Sequence, residues 1–380
     1  MPEPAPASAE LLPRVRRLVR ARSTDYAEKT VRIPVGSYRD PHILEAERAL
    51  VLHATPWVAA ASCQLPAAGD YLVRELADRS VIVARDAGGR VRTLVNTCRH
   101  RGARVAAGAG SATRFTCPYH AWSYDLAGTL TSVPGRKGFD DIDFADHGLT
   151  ELPTQERHGL VWCLPDARGP LDLDAHLGTL DKELAGWGYG AYWAAPVMEI
   201  DVAANWKAVL EAFSETYHFP FVHPDSLVGQ GTIANIVSFD DLTPHHRLGV
   251  PLTTVRELPE DLGAEKGEHV AVLYFVYPNL VIANSPIGAE VIEARPVDAT
   301  HSVLRHVFLS RTAPRDSAEE RGMLDYVEHI RAVVRDEDGP VMDSAGAGLA
   351  TAAHSDVLIG RNEPGCQNIH RQIQRALIRD

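Results

Sequence analysis

The sequence lacks any apolar run long enough to cross a bilayer. Its longest, Ala271–Ala283, is interrupted by Pro278 and Asn279 and falls short of the roughly 20 residues a spanning helix needs, so it reads as strand, turn and strand. Positive charge is also in short supply. With 38 Lys and Arg against 50 Asp and Glu, the formal charge is −12, which argues against a nucleic-acid partner because phosphate binding needs a basic face. There are only five cysteines. Cys63, Cys163 and Cys366 have no disulfide-like spacing and are expected as small buried apolar groups in a reducing, cytoplasmic setting. No nucleotide-binding glycine pattern is present, Gly108-Ala109-Gly110 being only a loop, and neither an internal repeat nor a low-complexity tract is evident. Met1–Glu10 is rich in Ala and Pro and carries acid before any base; it lacks the basic-then-apolar order of a secretory signal and reads as a floppy tail. What remains is 380 residues, 45% hydrophobic and 23% charged, an ordinary globular chain long enough for two or three domains.

Against that background, Cys98, His100, Cys117 and His120 stand out. They are spaced Cys-x-His, sixteen residues, Cys-x-x-His. Two thiolates with two imidazoles suit either a tetrahedral zinc or a [2Fe-2S] cluster whose cysteines hold one iron and histidines the other. The flanks, Asn96-Thr97-Cys98-Arg99-His100-Arg101-Gly102-Ala103 and Cys117-Pro118-Tyr119-His120-Ala121-Trp122-Ser123-Tyr124, resemble the two cluster-binding loops of Rieske proteins. Gly102 and Pro118 fit the sharp turns such loops need. Neutral imidazoles in place of two thiolates would raise the cluster's reduction potential and leave the histidine side as the electron's exit.

Pattern along the chain divides it. Ala9–Ala21 has helix-compatible apolar spacing with Arg14, Arg16, Arg17 and Arg20 on the other face, expected as a solvated helix. From Leu52 to about Asp166 short β-rich runs follow (Tyr71–Leu76, Val81–Arg85, Val91–Val95), with Asp86-Ala87-Gly88-Gly89 as a hairpin turn. His158–Leu164 reads as a closing strand and Pro165–Pro170 as a linker. Beyond it, Val197–Val202, Leu248–Glu257, His269–Tyr277, Leu280–Asn284, Val291–Pro296 and Ser302–Arg311 have strand character, with helical patterns between and after. The expected organisation is α+β: an N-terminal helical segment over 1–51 packing on the catalytic domain, a small all-β domain over 52–166, and a catalytic domain with an antiparallel sheet over 167–380.

A second constellation lies in Asn205–Pro224. Glu211, Glu215 and His218 fall at i, i+4 and i+7, one face of a helix. Pro220 would end or kink that helix, letting His223 swing back toward His218. Two such histidines with a carboxylate from elsewhere make the facial triad of non-haem Fe(II) oxygenases. The third ligand must come from farther along. After a helix opened by Ser317-Ala318-Glu319-Glu320, a capping-box pattern, the acids Asp336, Glu337, Asp338 and Asp343 are not separated by periodicity, and a solvated helix end is the plain reading of such a run.

From about residue 40 onward the chain resembles the α subunit, or terminal oxygenase component, of Rieske non-haem iron oxygenases. Asn205-Trp206-Lys207, Glu215 three positions before His218, then His223, and the acidic pair Glu337-Asp338 ahead of Gly348-Leu349 carry the resemblance. The glutamine often found two residues before that Gly-Leu is Gly346 here. The resemblance implies a Rieske domain joined to a helix-grip (START-like) catalytic domain, with the cluster on Cys98, His100, Cys117 and His120 and a mononuclear Fe(II) on His218, His223 and Asp338. It further implies a homotrimer in which Glu215 bridges one subunit's cluster histidine, His100 or His120, to the next subunit's His218. Electrons would come from a separate NAD(P)H reductase, with or without a ferredoxin, and O2 would hydroxylate, dealkylate or dihydroxylate a small apolar organic substrate, aromatic or N-methylated amine. Glu in place of the commoner Asp at 215 resembles members acting on choline-like or carnitine-like quaternary amines. Phe213, Phe221, Val222, Leu227, Ile233, Ile236, Val272, Tyr274, Val281 and Ile292 are candidate pocket residues. Two other classes remain: a Rieske electron-transfer protein, against which the length argues, and a non-catalytic helix-grip ligand-binding protein, against which the intact His218–Pro220–His223 stretch argues.

Overall fold

The computed structural model describes residues 6–166, 169–258 and 269–378. Part of the expected linker, Ala167-Arg168, and the first five residues of the expected tail lie outside them. The chain forms two compact units: Leu52–His176 with Tyr189–Ala191, and the remainder, Met1–Val51, Leu177–Gly188 and Tyr192–Asp380.

The first unit is all strand and turn. Val91–Val95, Arg79–Arg85 and Asp70–Leu76 are neighbours in a five-stranded antiparallel sheet edged by Glu151–Leu152 and Ala109–Ser111. Alternation of buried and half-buried residues along Asp70–Leu76 is the period of a sheet with one covered face. Asp86 closes the hairpin by accepting hydrogen bonds from the Gly88 and Arg90 amides at 2.9 and 3.0 Å, the local side-chain bonding that favours Asp in turns. The closing strand, Leu160–Cys163, pairs with Thr154–Arg157 and Trp57–Ala61; His158-Gly159 turns the chain into it, both at positive φ. A small sheet of Phe115–Thr116, Ser123–Tyr124 and Leu130–Ser132 carries the second of the two Cys-His loops.

The second unit is built on an eight-stranded antiparallel sheet in the order Trp193–Ala194, Ser302–Ser310, Gly288–Pro296, Leu280–Asn284, Val270–Val276, His245–Pro251, Ser238–Leu242, with Met198–Val202 also paired to Ser302–Ser310. Leu248–Glu257, expected as one strand, is strand only to Pro251 and then a 3-10 turn over Thr253–Glu257. Ser238–Leu242 is a strand that its acidic Asp240-Asp241 pair concealed. Pro6–Ala21 is not the solvated helix expected, nor is its start a floppy tail: Leu11, Leu12, Val15 and Leu18 are buried, and a Cβ on Gly249 would sit 3.1 Å from Leu11 and 3.4 Å from Val15. Its arginines reach past the buried stripe, Arg14 pairing with Asp240 at 2.6 Å. Trp206–Ala212, Ser317–Ala332 and Pro364–Ile378 pack on this unit as well, the first and last against each other.

Asn205-Trp206-Lys207 has a structural task. Asn205 caps its helix, accepting from the Lys207 amide at 3.0 Å. Trp206 Nε1 and Lys207 Nζ both donate to the Glu47 carboxylate, at 2.9 and 2.7 Å, and Lys207 and Glu47 are each almost wholly buried. Glu47→Gln leaves a buried ammonium without its charge partner, and thermal or denaturant unfolding is expected to show a loss of about 3–5 kcal/mol. Gly346 has one too. A Cβ there would lie 1.9 Å from the Ala203 carbonyl oxygen, so the glutamine common at this place has no room and only glycine lets the Gly339–Ala350 helix approach so closely.

Candidate metal centres

The two Cys-His loops of the first unit are matched turns. Cys98 N donates to Ala103 O and Gly102 N to Cys98 O, at 2.8 and 2.9 Å; Cys117 N donates to Trp122 O and Ala121 N to Cys117 O, at 2.8 and 3.0 Å. Each turn closes through a residue at positive φ, Gly102 (76°) and Ala121 (57°), so in the second loop Ala121, and not Pro118, takes the left-handed position. Cys98 and Cys117 are buried, whereas His120 is exposed and His100 half-buried. Their imidazoles lie 4.6 Å apart between centroids, and His100 stacks on Trp122 at 5.0 Å. His100 Nδ1 is buried without a hydrogen-bond partner, as expected of a nitrogen reserved for a metal. Tyr124, with no role assigned from sequence, places its hydroxyl 3.3 Å from Cys98 Sγ while accepting from the Arg99 amide at 3.1 Å. Because a hydroxyl donated to sulfur favours the more negative, reduced state of a cluster, Tyr124→Phe is expected to lower the midpoint potential measured by redox titration, with the cluster retained.

The second constellation is not one helical face. Trp206–Ala212 ends before Ser214, and Phe213–His218 is an irregular turn. Glu211 therefore leaves the pair it was expected to join: its carboxylate accepts from Tyr38 at 2.8 Å and from His370 at 2.7 Å. Pro220 does not kink a long helix but opens a new short one, Phe219–Val222, with His218 and His223 as its two caps, and Pro tolerates that position because its missing amide hydrogen is not needed there. One turn of helix thus sets both imidazoles side by side, their centroids 5.1 Å apart.

Asp338 meets them from the far helix. Ser317–Ala332 is capped by Asp316, whose carboxylate accepts from the Ala318 and Glu319 amides; the cap is one residue earlier than the Ser317 box predicts. The helix does not end in solvent at the acidic run. It continues through a π turn, Val333–Asp338, into Gly339–Ala350. The wider turn buries Asp338, only 6% exposed, while Asp336 stays outside, paired to Arg335, and Asp343 caps Ala203 N at 2.7 Å. Such turns concentrate at functional sites. Among the described residues, His218, His223 and Asp338 form the one set whose ligand atoms lie within 4.8 Å of one another.

The outer hydrogen bonds fix which nitrogens face inward. His218 Nδ1 donates to Glu215 Oε1 and His223 Nδ1 to Glu337 Oε2, at 2.6 Å for the latter, so both Nε2 atoms turn to Asp338 Oδ1, at 3.6 and 2.9 Å. Ser226 donates to the same Glu337 oxygen at 2.6 Å. Glu337, weighed from sequence as a rival ligand, accepts from His223 Nδ1, on the side of the ring away from Asp338. Burial pulls the His218 pKa down, but hydrogen bonds to Asp338 and Glu215 more than offset it and leave it raised to about 9. Burial pushes Asp338 up, and the two imidazoles still hold it below its ordinary value. Three converging ligands, acids behind both imidazoles and a surplus of negative charge suit a divalent iron, which takes the protons' place. Of the expected pocket residues, Val272 and Tyr274 do not serve: their register places them on the sheet face shared with Gly249, which Pro6–Ala21 covers, and Tyr274 accepts from Trp187 and donates to Glu183. Phe221 is 76% exposed.

Comparison with known proteins agrees with this division. The Rieske [2Fe-2S] domain family matches residues 55–152, which settles cluster over zinc, and the ring hydroxylating alpha subunit (catalytic domain) family matches 184–378. The glycine betaine monooxygenase oxygenase subunit of Chromohalobacter salexigens is 31% identical over 59% of this chain and 48% of its own length; the carnitine monooxygenase oxygenase subunit of Escherichia coli K12 is 25% identical over 85% of each. The chain spans about half the length of the glycine betaine relatives it matches. The crystal structure of the quaternary ammonium Rieske monooxygenase CntA with L-carnitine shares the fold, with a TM-score of 0.77 at 20% identity over 93% of this chain and 96% of that one. A naphthalene 1,2-dioxygenase structure does likewise, at 0.73, 19%, 91% and 92%. With both family models matched, the second over more than half of its length, this chain belongs to the ring-hydroxylating α-subunit family, a Rieske [2Fe-2S] domain joined to a mononuclear-iron catalytic domain.

Proposed function

We propose that the chain is the terminal oxygenase of a multicomponent Rieske system. Cys98, His100, Cys117 and His120 hold the cluster, and His218, His223 and Asp338 hold Fe(II). Bound there, the iron would supply the redox chemistry that activates O2. The convergence of those three ligand atoms within 4.8 Å, with an acid behind each imidazole, carries the reading; a bare electron carrier has no use for it.

The residues divide the work. Asp338 supplies the negative charge that balances the metal, and Glu337 and Glu215 hold each imidazole in the tautomer whose Nε2 is a bare acceptor. His218, His223 and Asp338 would together hold the iron as a two-histidine, one-carboxylate set. Glu215, only 10% exposed in its side chain, also accepts from the amides of Tyr217 and His218, so its carboxylate is fixed against the His218 ring. In a ring of three copies it would join that ring to His100 or His120 of the next copy, giving the electron a hydrogen-bonded path. A separate NAD(P)H reductase, with or without a ferredoxin, is the electron source.

The relatives named for glycine betaine and carnitine, with Glu at 215, favour an N-methylated amine over an aromatic hydrocarbon as substrate. The test is metal content and spectrum after anaerobic reconstitution. About three irons per chain and a reduced-state resonance of a histidine-ligated cluster are expected; colourless protein carrying zinc, or iron stopping at about two per chain, overturns the proposal.

A further inference from the structure

Glu211 lies on the helix that leads to the iron site but does not face the metal ligands. It is gripped at both ends. Its Oε1 accepts from the Tyr38 hydroxyl at 2.8 Å and from His370 Nε2 at 2.7 Å, while its backbone carbonyl accepts from Cys366 Sγ at 3.5 Å and from the Ser214 amide at 2.9 Å. Cys366 and His370 are i and i+4 of Pro364–Ile378, so one face of that helix holds both the side chain and the main chain of a single residue. Tyr38 comes from a 3-10 turn, Val35–Tyr38. All three partners are buried. Burial, and then the Glu211 carboxylate, push the Tyr38 pKa well up; burial, and then Glu215, Glu211 and Glu363, do the same to Cys366. Both groups keep their protons and stay donors.

The grip reaches Glu215 through a short stretch of chain. Trp206–Ala212 ends with Phe213 as its C-cap, and from there to His218 the backbone is an irregular turn with no helix or strand of its own to fix its course. Beyond Glu215, the Thr216 carbonyl accepts from the Asn235 amide at 3.1 Å. Before it, the first turn of Pro364–Ile378 closes on the chain: a Cβ on Gly365 would lie 2.4 Å from the Ser214 carbonyl oxygen, so glycine lets that helix rest against the peptide that joins Ser214 to Glu215. The same helix therefore holds Glu211 and buttresses Ser214, the two positions from which the backbone runs into Glu215. A carboxylate that must meet an imidazole on each side tolerates little displacement, since a shift of about 1 Å in such a group costs up to roughly 100-fold in rate.

We propose that Tyr38, Glu211 and His370 are positioning residues for electron transfer: by clamping Glu211 to the last helix they set the turn that aims Glu215 at its two imidazoles. The inference rests on the oxygenase reading and on Glu215 as the bridge. Its test needs no substrate. In the iron-loaded protein, with the iron ferric and the cluster oxidised, a flash-excited deazaflavin gives the cluster one electron. Passage of that electron to the iron is followed as loss of the reduced-cluster absorption and of the ferric resonance. Both side-chain bonds end on Glu211 Oε1, so Glu211→Gln keeps the acceptor and loses the charge, whereas Glu211→Ala loses both. Glu211→Ala is expected to slow the transfer about tenfold or more and Glu211→Gln to stay within about twofold of wild type, with iron content and cluster midpoint potential unchanged in each. A wild-type rate in Glu211→Ala overturns the proposal. So does a Glu211→Gln rate as low as that of Glu211→Ala, because charge and not geometry would then be at work. Tyr38→Phe keeps the ring and removes one donor, and it decides the matter if Glu211→Ala does not fold: a rate about threefold lower supports the clamp, and a wild-type rate overturns it. Failure of the oxygenase reading is distinct, showing as a missing third iron or cluster signal before the flash, and failure of the bridge as an undiminished rate in Glu215→Gln.

Discussion

Glu215→Gln is expected to keep both metal centres and lose substrate turnover by roughly 10- to 100-fold. The substitution preserves length and shape, so the turn over Phe213–His218 survives. What changes is chemical. The carboxylate now accepts from His218 Nδ1 and from two backbone amides, and an amide in its place has one acceptor oxygen and a donor NH2 that opposes the imidazole N–H. A bridge that must accept from an imidazole on each side then fails on one of them. The measurement is single-turnover oxidation of the reduced cluster with substrate and O2, next to iron content and the resonance spectrum. Turnover at the wild-type rate would mean the electron passes elsewhere. Glu337→Gln is the informative control: it touches His223 and not His218, so its effect should appear as weaker iron retention and not as a blocked electron.

His223→Ala is expected to abolish O2 consumption and to leave about two irons per chain, all in the cluster. His223 is 1% exposed and meets Asp338 at one ring nitrogen and Glu337 at the other, so the truncation removes a ligand and strands two carboxylates. A stability loss of about 1–3 kcal/mol should accompany it. His218→Ala should likewise lose the third iron. Because the four cluster ligands lie in the other compact unit, the cluster spectrum should be untouched in both variants. Retention of oxygen uptake with substrate, reductase and NADH by either would refute the iron assignment.

Much of the site was legible because its chemistry is local. Both Cys-His loops are self-contained turns, closed by hydrogen bonds between residues no more than five apart, so spacing and flanks carry most of their geometry. His218 and His223 were legible through Pro220, though for a different reason than the one the sequence suggests: proline starts a one-turn helix there and does not break a long one. Glu211 misled because periodicity assumes the helix continues, whereas it stops at Ala212 with Phe213 as its C-cap.

Asp338 marks the boundary between the two kinds of information. In an acidic run every residue has the same local character, and only the π turn, stabilised by what packs around it, buries Asp338, half-buries Glu337 against His223 and leaves Asp336 in water. The arginine-rich Pro6–Ala21 helix was misread for the same reason, since whether its apolar stripe meets water or a sheet is decided by residues more than two hundred positions away. By itself, then, the sequence determined the α+β class and the kinds of cofactor, because ligand type, turn residues and strand period act over a few positions. Which acid turns toward His218 and His223 and which sheet face the helices cover were decided only by tertiary structure, since burial and long-range hydrogen bonds depend on neighbours that sequence order does not specify.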